Sequence, residues 1–403
     1  MNRDHQLYLS AQAAAAALGV AIPTLYAYVS RGLIRSERVP GSKSRKYWRS
    51  DIERLAKGAA ASPASARPSA LALDTELTLL LDGGLYFRGV NAIELARHAT
   101  LEEVAALLWR ADEWKDGDIG AKSSPAGWAG LLGTQMELSS RDRAIALLPA
   151  AERADPRAYD LSRPGYVRTA RDVLRWYTAI VTRSRALHAT PVHVLLSKAL
   201  AAPKGMEEVI RTTLVLSADH EFDPVTYAVR AIANTGVTPY MVATTGLIMR
   251  HGLRFQSQRF GAVSRFLLEV LSARRGDAPV VARMRHGEDL PGFSAGVGLP
   301  DARTEPLMEA LRRHLKSDGD LRRLAEAQQC ALDTSGRHMD FILPALFVGH
   351  KLGLQGEELA VSAIGRLVGW MAHAMEQFFE REYVRPRANY VGALPEASGE
   401  GLT

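Results

Sequence analysis

Glu357–Glu382 reads EELAVSAIGRLVGWMAHAMEQFFERE, and its apolar residues recur at three- and four-residue spacing along the whole stretch. That is the period of an α-helix. The same period governs MEEVIRTTLVLSADH (Met206–His220), TYAVRAIANTG (Thr226–Gly236), VSRFLLEVLSARR (Val263–Arg275) and FILPALFVGHKLGL (Phe341–Leu354). Sustained strand patterns are nearly absent, so the expected fold class is all-α.

A chain of 403 residues exceeds a typical single domain, so two or more compact units are expected. Its composition, 47% apolar with only 7% aromatic, suits a helical globular protein. No apolar run is long enough to cross a bilayer, and MNRDHQLYLSAQ lacks the form of a secretion signal. Cys330 is the only cysteine, which excludes an intrachain disulfide and a cysteine metal cluster. The expectation is a cytoplasmic protein with no membrane contact, no resident metal and no permanently bound cofactor. The net charge of +6 is small for the length, so its placement matters more than its size.

Cations cluster near the front, in RGLIRSERVPGSKSRKYWRSDIER (Arg31–Arg54). Before them, Ser10 can cap a helix over Ala11–Leu18 that Gly19 ends, and Pro23 fits the first turn of a second helix. RVPGSKSRKYW then predicts a β-hairpin turning at Pro40–Gly41, and Asp51 can cap a third helix. This order resembles the MerR and excisionase type of winged helix-turn-helix over Tyr8 to about Lys57. The resemblance implies double-stranded DNA as a partner. Thr24, Tyr26 and Arg31 would serve around the recognition helix, and Arg45, Lys46 and Tyr47 in the wing. The bland alternative is a small helical cap with a solvated basic loop. KGAAASPASARPSALALD then reads as a flexible linker.

Beyond the linker, YFRGVNAIELARHATLEEVAALLW, SADHEFDPVTYAVR, RHMDFILPAL, AIGRLVGWMAHAMEQ and VRPRANYVG resemble, in order, motifs of the citrate synthase family over roughly Leu71–Gly392. The resemblance implies a two-domain helical fold: a large domain of 71–258 plus 346–403 and a small domain of 259–345, after a front domain of 1–57 and a linker of 58–70. It also implies a homodimer, an oxoacid substrate such as oxaloacetate, and acetyl-CoA or another acyl-CoA as cosubstrate. Carried over position by position, Asp340 matches the proton-abstracting carboxylate. Arg303, Arg366 and Arg385 match the substrate carboxylate clamps, and His220 matches a histidine that helps bind the oxoacid. Each has an ordinary reading too. Asp340 can cap the helix that follows, Arg366 can pair with Glu376 or another acid, and His220 can be a satisfied core histidine.

Two family histidines are missing. In GFSAGVGLPDAR (Gly292–Arg303), Ser294 stands for a glycine and Ala295 for the histidine that polarises the oxoacid carbonyl. In HGLRFQSQRFGAVSRF, Arg259 or Phe260 falls where the family's enol-stabilising histidine stands, with His251 offset from it. Ser217 and Asp223 also depart from the family pattern. The expected function is therefore that of the acyl-CoA plus oxoacid C-acyltransferase lineage with an altered site, in which Arg259 is a candidate substitute for the histidine. The alternative is a catalytically silent regulator that senses a di- or tricarboxylate or an acyl-CoA.

Overall fold

The computed structural model describes residues 8–30, 33–39, 44–49, 51–53, 55, 73–81, 84–111, 138–184, 187–220, 222–252, 260–294, 300–381 and 383. Arg31, the Pro40–Gly41 turn and the linker at 58–70 lie outside these residues.

At the front, β1 (Tyr8–Ser10) leads into α1 (Ala11–Leu18) and α2 (Ile22–Ser30). Ser10 Oγ accepts a hydrogen bond from Ala13 N at 3.2 Å, and Gly19 ends α1 at φ 64°, a left-handed conformation that glycine adopts at little cost. The two helices meet at 93° across this turn. β2 (Ser36–Arg38) and β3 (Arg45–Trp48) complete an antiparallel sheet of order β1-β3-β2, with Glu37 opposite Lys46 and Arg38 opposite Arg45. Ala14, Ala15, Leu25, Ile34, Tyr47 and Ile52 form the core of this unit.

One expectation is corrected here. Tyr47 is 2% exposed and packs into that core, so its ring is withdrawn from any ligand on the surface. Asp51 is buried too, and its carboxylate accepts the Arg35 backbone N–H at 2.9 Å and the Arg35 guanidinium at 3.0 and 3.1 Å. Of the other front residues singled out, Arg45 and Tyr26 are exposed and Thr24 is half-buried. Lys46 Nζ lies 4.2 Å over the Tyr8 ring and 3.8 Å from Glu37.

The rest is mainly helical, although a second small sheet means that the chain is not purely α. It is formed by β4 (Thr78–Leu81), β5 (Gly84–Phe87) and β6 (Val90–Asn91), with Leu85 and Phe87 buried. The helices that follow are α3 (Ala92–His98), α4 (Leu101–Trp109), α5 (Ser140–Ala154), α6 (Arg163–Val181), α7 (Val192–Ala199), α8 (Met206–Leu216) and α9 (Pro224–Ala233). After them come α10 (Pro239–His251), α11 (Gly261–Ser272), α12 (Ala278–His286), α13 (Thr304–His314), α14 (Gly319–Ser335), α15 (Ile342–Lys351) and α16 (Ala360–Glu380). Thr100 and Glu103 form the reciprocal capping box that starts α4.

α16 is the hub. It packs against α4, α6, α8, α9 and α10, while α11 and α14 pack with α12 and α15 alongside. Two glycines bring α16 close to the end of α8. A Cβ on Gly365 would stand 2.4 Å from Leu214 O, and one on Gly369 would stand 2.1 Å from Ala218 O. That approach carries Arg366 next to the residues that follow α8.

Candidate carboxylate site

The segment after α8 places two adjacent residues in different environments. Asp219 is fully buried, and its carboxylate meets Arg366 Nη1, the Thr78 hydroxyl and, at 3.1 Å, His373 Nε2. Burial alone would raise this carboxyl's pKa. The Arg366 and His373 charges outweigh burial and hold it far below the usual carboxylate range. Arg366 Nη2 also donates to Thr226 Oγ1 at 2.8 Å and lies 3.6 Å from Asp223. Asp223 in turn caps α9 by accepting from Thr226 N at 2.6 Å.

The partner of Arg366 is thus Asp219. Glu376 pairs with Arg230 instead, accepting also from Thr75 Oγ1 at 2.9 Å and Glu76 N at 2.7 Å. His373 stands between the two pairs, its Nδ1 3.4 Å from Arg230 Nη1. This buried polar chain fixes the orientation of the Arg366 guanidinium, because every charge in it has an opposite partner.

His220 points the other way, toward the loop that precedes α13. Its Nε2 is 3.9 Å from Asp301 Oδ1. Burial and then the Arg303 charge push its pKa from 6.5 down to about 4, against the pull of Asp301, so the ring is neutral at pH 7. Arg303 grips Asp301 with two bonds, Nε to Oδ1 at 2.9 Å and Nη2 to Oδ2 at 2.7 Å. Burial would raise the Asp301 pKa, and the bonds and charge of Arg303 bring it down to about 2.

The Arg303 guanidinium lies 4.5 Å over the Phe341 ring, the residue after Asp340. Asp340 itself is held by backbone pairing. Its N–H donates to Gly292 O at 2.8 Å, Ser294 N donates to His338 O at 2.8 Å, and His338 N donates to Ser294 Oγ at 3.0 Å. Thr304 Oγ1 also donates to Met339 O at 3.0 Å. The N-cap of α15 is Phe341, which makes no side-chain cap bond.

The fold therefore gathers His220, Arg303 and Arg366 around Asp219 and Asp301, and Asp340 precedes the Phe341 ring that Arg303 covers. Arg385, Arg259 and Ala295 lie outside the described residues. His251 sits at the exposed end of α10, 3.4 Å from Asp142, and makes none of the contacts that join this cluster. Phe260 stands at the start of α11. Sequence reading named Asp301 only as a retained position of the loop, and it missed Asp219 as the anchor of Arg366, and His373 altogether. One signal for His373 was available: it follows Arg366 by two helical turns, on the same face of α16.

The family description "Citrate synthase, C-terminal domain" matches residues 170–387. Citrate synthase 2 of Bacillus subtilis is 26% identical over 192 residues, covering 46% of this chain and 51% of that protein, about half its length. The 2-methylcitrate synthase of Shewanella oneidensis is 24% identical over 358 residues, covering 77% of this chain and 90% of that protein. Among solved structures, citrate synthase from Pyrobaculum aerophilum superposes with a TM-score of 0.67 at 18% identity, over 83% of this chain and 94% of its own. The Thermoplasma acidophilum citrate synthase, solved in a ternary complex with carboxymethyl coenzyme A and oxaloacetate, gives 0.62 at 17% identity over 83% of this chain and 96% of its own. Likeness at these identities is likeness of fold.

Proposed function

The chain belongs to the citrate synthase family, and from that premise we propose that it binds a small dicarboxylate oxoacid at the His220–Arg303–Arg366 cluster. Asp340 then serves as the base toward an acyl-CoA. One observation supports the reading: Arg366 faces Asp219, Arg303 and His220 share Asp301, and Arg303 stacks on Phe341, the residue after Asp340. Asp301 occupies Nε and Nη2 of Arg303, which leaves Nη1 to meet a ligand carboxylate. Neutral His220 supplies an N–H donor for the oxoacid without adding charge. Arg385, by family position, adds a further cation.

In the condensation, Asp340 takes a proton from the carbon next to the thioester carbonyl. The resulting enolate carbon then attacks the oxoacid carbonyl, the alkoxide so formed takes a proton, and water hydrolyses the condensed thioester to release the free thiol. Ala295 carries only a methyl group where a histidine would polarise that carbonyl, and one missing acid–base group costs roughly 10²–10⁴-fold in rate. Turnover is therefore slow relative to binding. A thiol-release assay with acetyl-CoA and oxaloacetate should detect slow release that Asp340→Asn abolishes. Brisk release that survives Asp340→Asn would overturn the assignment of the base.

A second reading rests on the front unit, with its two helices at 93°, exposed Tyr26 and exposed Arg45. In that reading the carboxylate site tunes DNA binding. Fluorescence anisotropy of the full chain on duplex DNA should show salt-dependent affinity that Arg45→Ala weakens for every sequence. No affinity at low salt would remove this reading.

A further inference from the structure

A cavity of about 220 Å³ lies where α5, α6, α10, α11, α15 and α16 come together. Its walls mix polar and charged residues with an aliphatic part formed by Leu247, Leu346, Leu359 and Ala363. One water needs roughly 10–15 Å³ on this measure, so the space accommodates a chain of several carbons.

Arg250 lines this cavity from the last turn of α10. Its guanidinium lies 5.4 Å over the Phe260 ring and, among the described residues, has no hydrogen bond or ion pair. Other buried or half-buried arginines differ. Arg366 faces Asp219, Arg230 faces Glu376, Arg303 faces Asp301, and Arg175 lies 3.3 Å from Glu102. Burial pushes the Arg250 pKa down and the Arg366 charge presses the same way, yet a guanidinium stays protonated. A half-buried cation of this kind gains from an incoming anion.

Arg141 also lines the cavity, with its charge met by Asp142 at 3.5 Å, and two glutamates in the lining limit how much negative charge can enter. Glu357 accepts from Ser140 N at 2.8 Å and Glu358 from Gly356 N at 3.0 Å, so both carboxylates are fixed beside the cavity. They repel a second anionic end.

We propose that this cavity is a second ligand site, which takes a small monocarboxylate with an aliphatic body. The carboxylate meets the Arg250 guanidinium, and the chain lies against Leu247, Leu346 and Leu359. The preference is opposite to that of the Arg303 cluster, which is suited to a dianion.

Hexanoate titrated into the full-length protein, followed by ligand-observed NMR, tests this. The wild type should bind it, and Arg250→Leu should weaken binding by about tenfold or more. That variant strands no partner, so its melting curve should stay cooperative. Ser264→Phe, which fills the cavity without touching the cation, should also remove binding. Arg303→Leu should leave hexanoate affinity unchanged, and oxaloacetate should not displace it. Absence of hexanoate binding to the wild type would overturn the proposal, as would binding that survives both Arg250→Leu and Ser264→Phe. Loss in Arg303→Leu together with displacement by oxaloacetate would also overturn it, by placing hexanoate in the dicarboxylate site. A failure of oxaloacetate to bind would count against the proposed function alone.

Discussion

The two arginines of the candidate site are held in contrasting ways. Arg366 is 9% exposed and rises from a helix whose glycines pack against backbone, with its charge matched by fully buried Asp219. Arg303 is held by an acid two residues away, by an aromatic ring beneath it, and by a loop pinned through Ser294. The first wall is built from residues far apart in the chain and cannot shift without unpairing buried charge. The second is built largely from local contacts, and one edge of its guanidinium is left to a ligand. The contrast teaches a division of labour, in which Arg366 sets the position of the site and Arg303 responds to what enters it.

Breaking the first wall should have the larger effect. Asp219→Ala strands Arg366 and His373 in the core and should cost about 3–5 kcal/mol of stability, read by chemical denaturation. A loss below about 1 kcal/mol would mean that water already reaches Arg366. The second wall should give more gently. Ser294→Ala removes the oxygen that accepts His338 N–H and should cost about 1 kcal/mol. Asp340 would be held less firmly, so oxoacid-dependent thiol release should fall further than stability does. Equal losses from these two variants would erase the contrast.

Much of the fold was legible in the chain because its signals are local. Ser10, Gly19, Thr100 with Glu103 and the long apolar periods each act within a turn or two of helix. The small sheets were less visible. β4 to β6 are two to four residues long, too short for a sustained alternation. Tyr47 was misread because a tyrosine in a basic strand suits a nucleic-acid contact or a core equally, and only the packed face of the sheet decides. The arginines of the candidate site were singled out by position in recognisable motifs. Their anchors were not, because Asp219 meets Arg366 and His373 across about 150 residues of chain. The Gly292–Asp340 backbone bond likewise joins segments that no local pattern connects.

The dicarboxylate site is tested most directly by calorimetric titration of oxaloacetate into wild-type protein and Arg303→Leu. Because His220 stays neutral until its pKa near 4, wild-type affinity should show no inflection near pH 6.5. The wild type should bind measurably, and Arg303→Leu should lose about 1.5–3 kcal/mol of affinity, roughly ten- to hundred-fold, while keeping its fold. No heat of binding in the wild type, or equal affinity in the two proteins, would contradict a carboxylate site at Arg303.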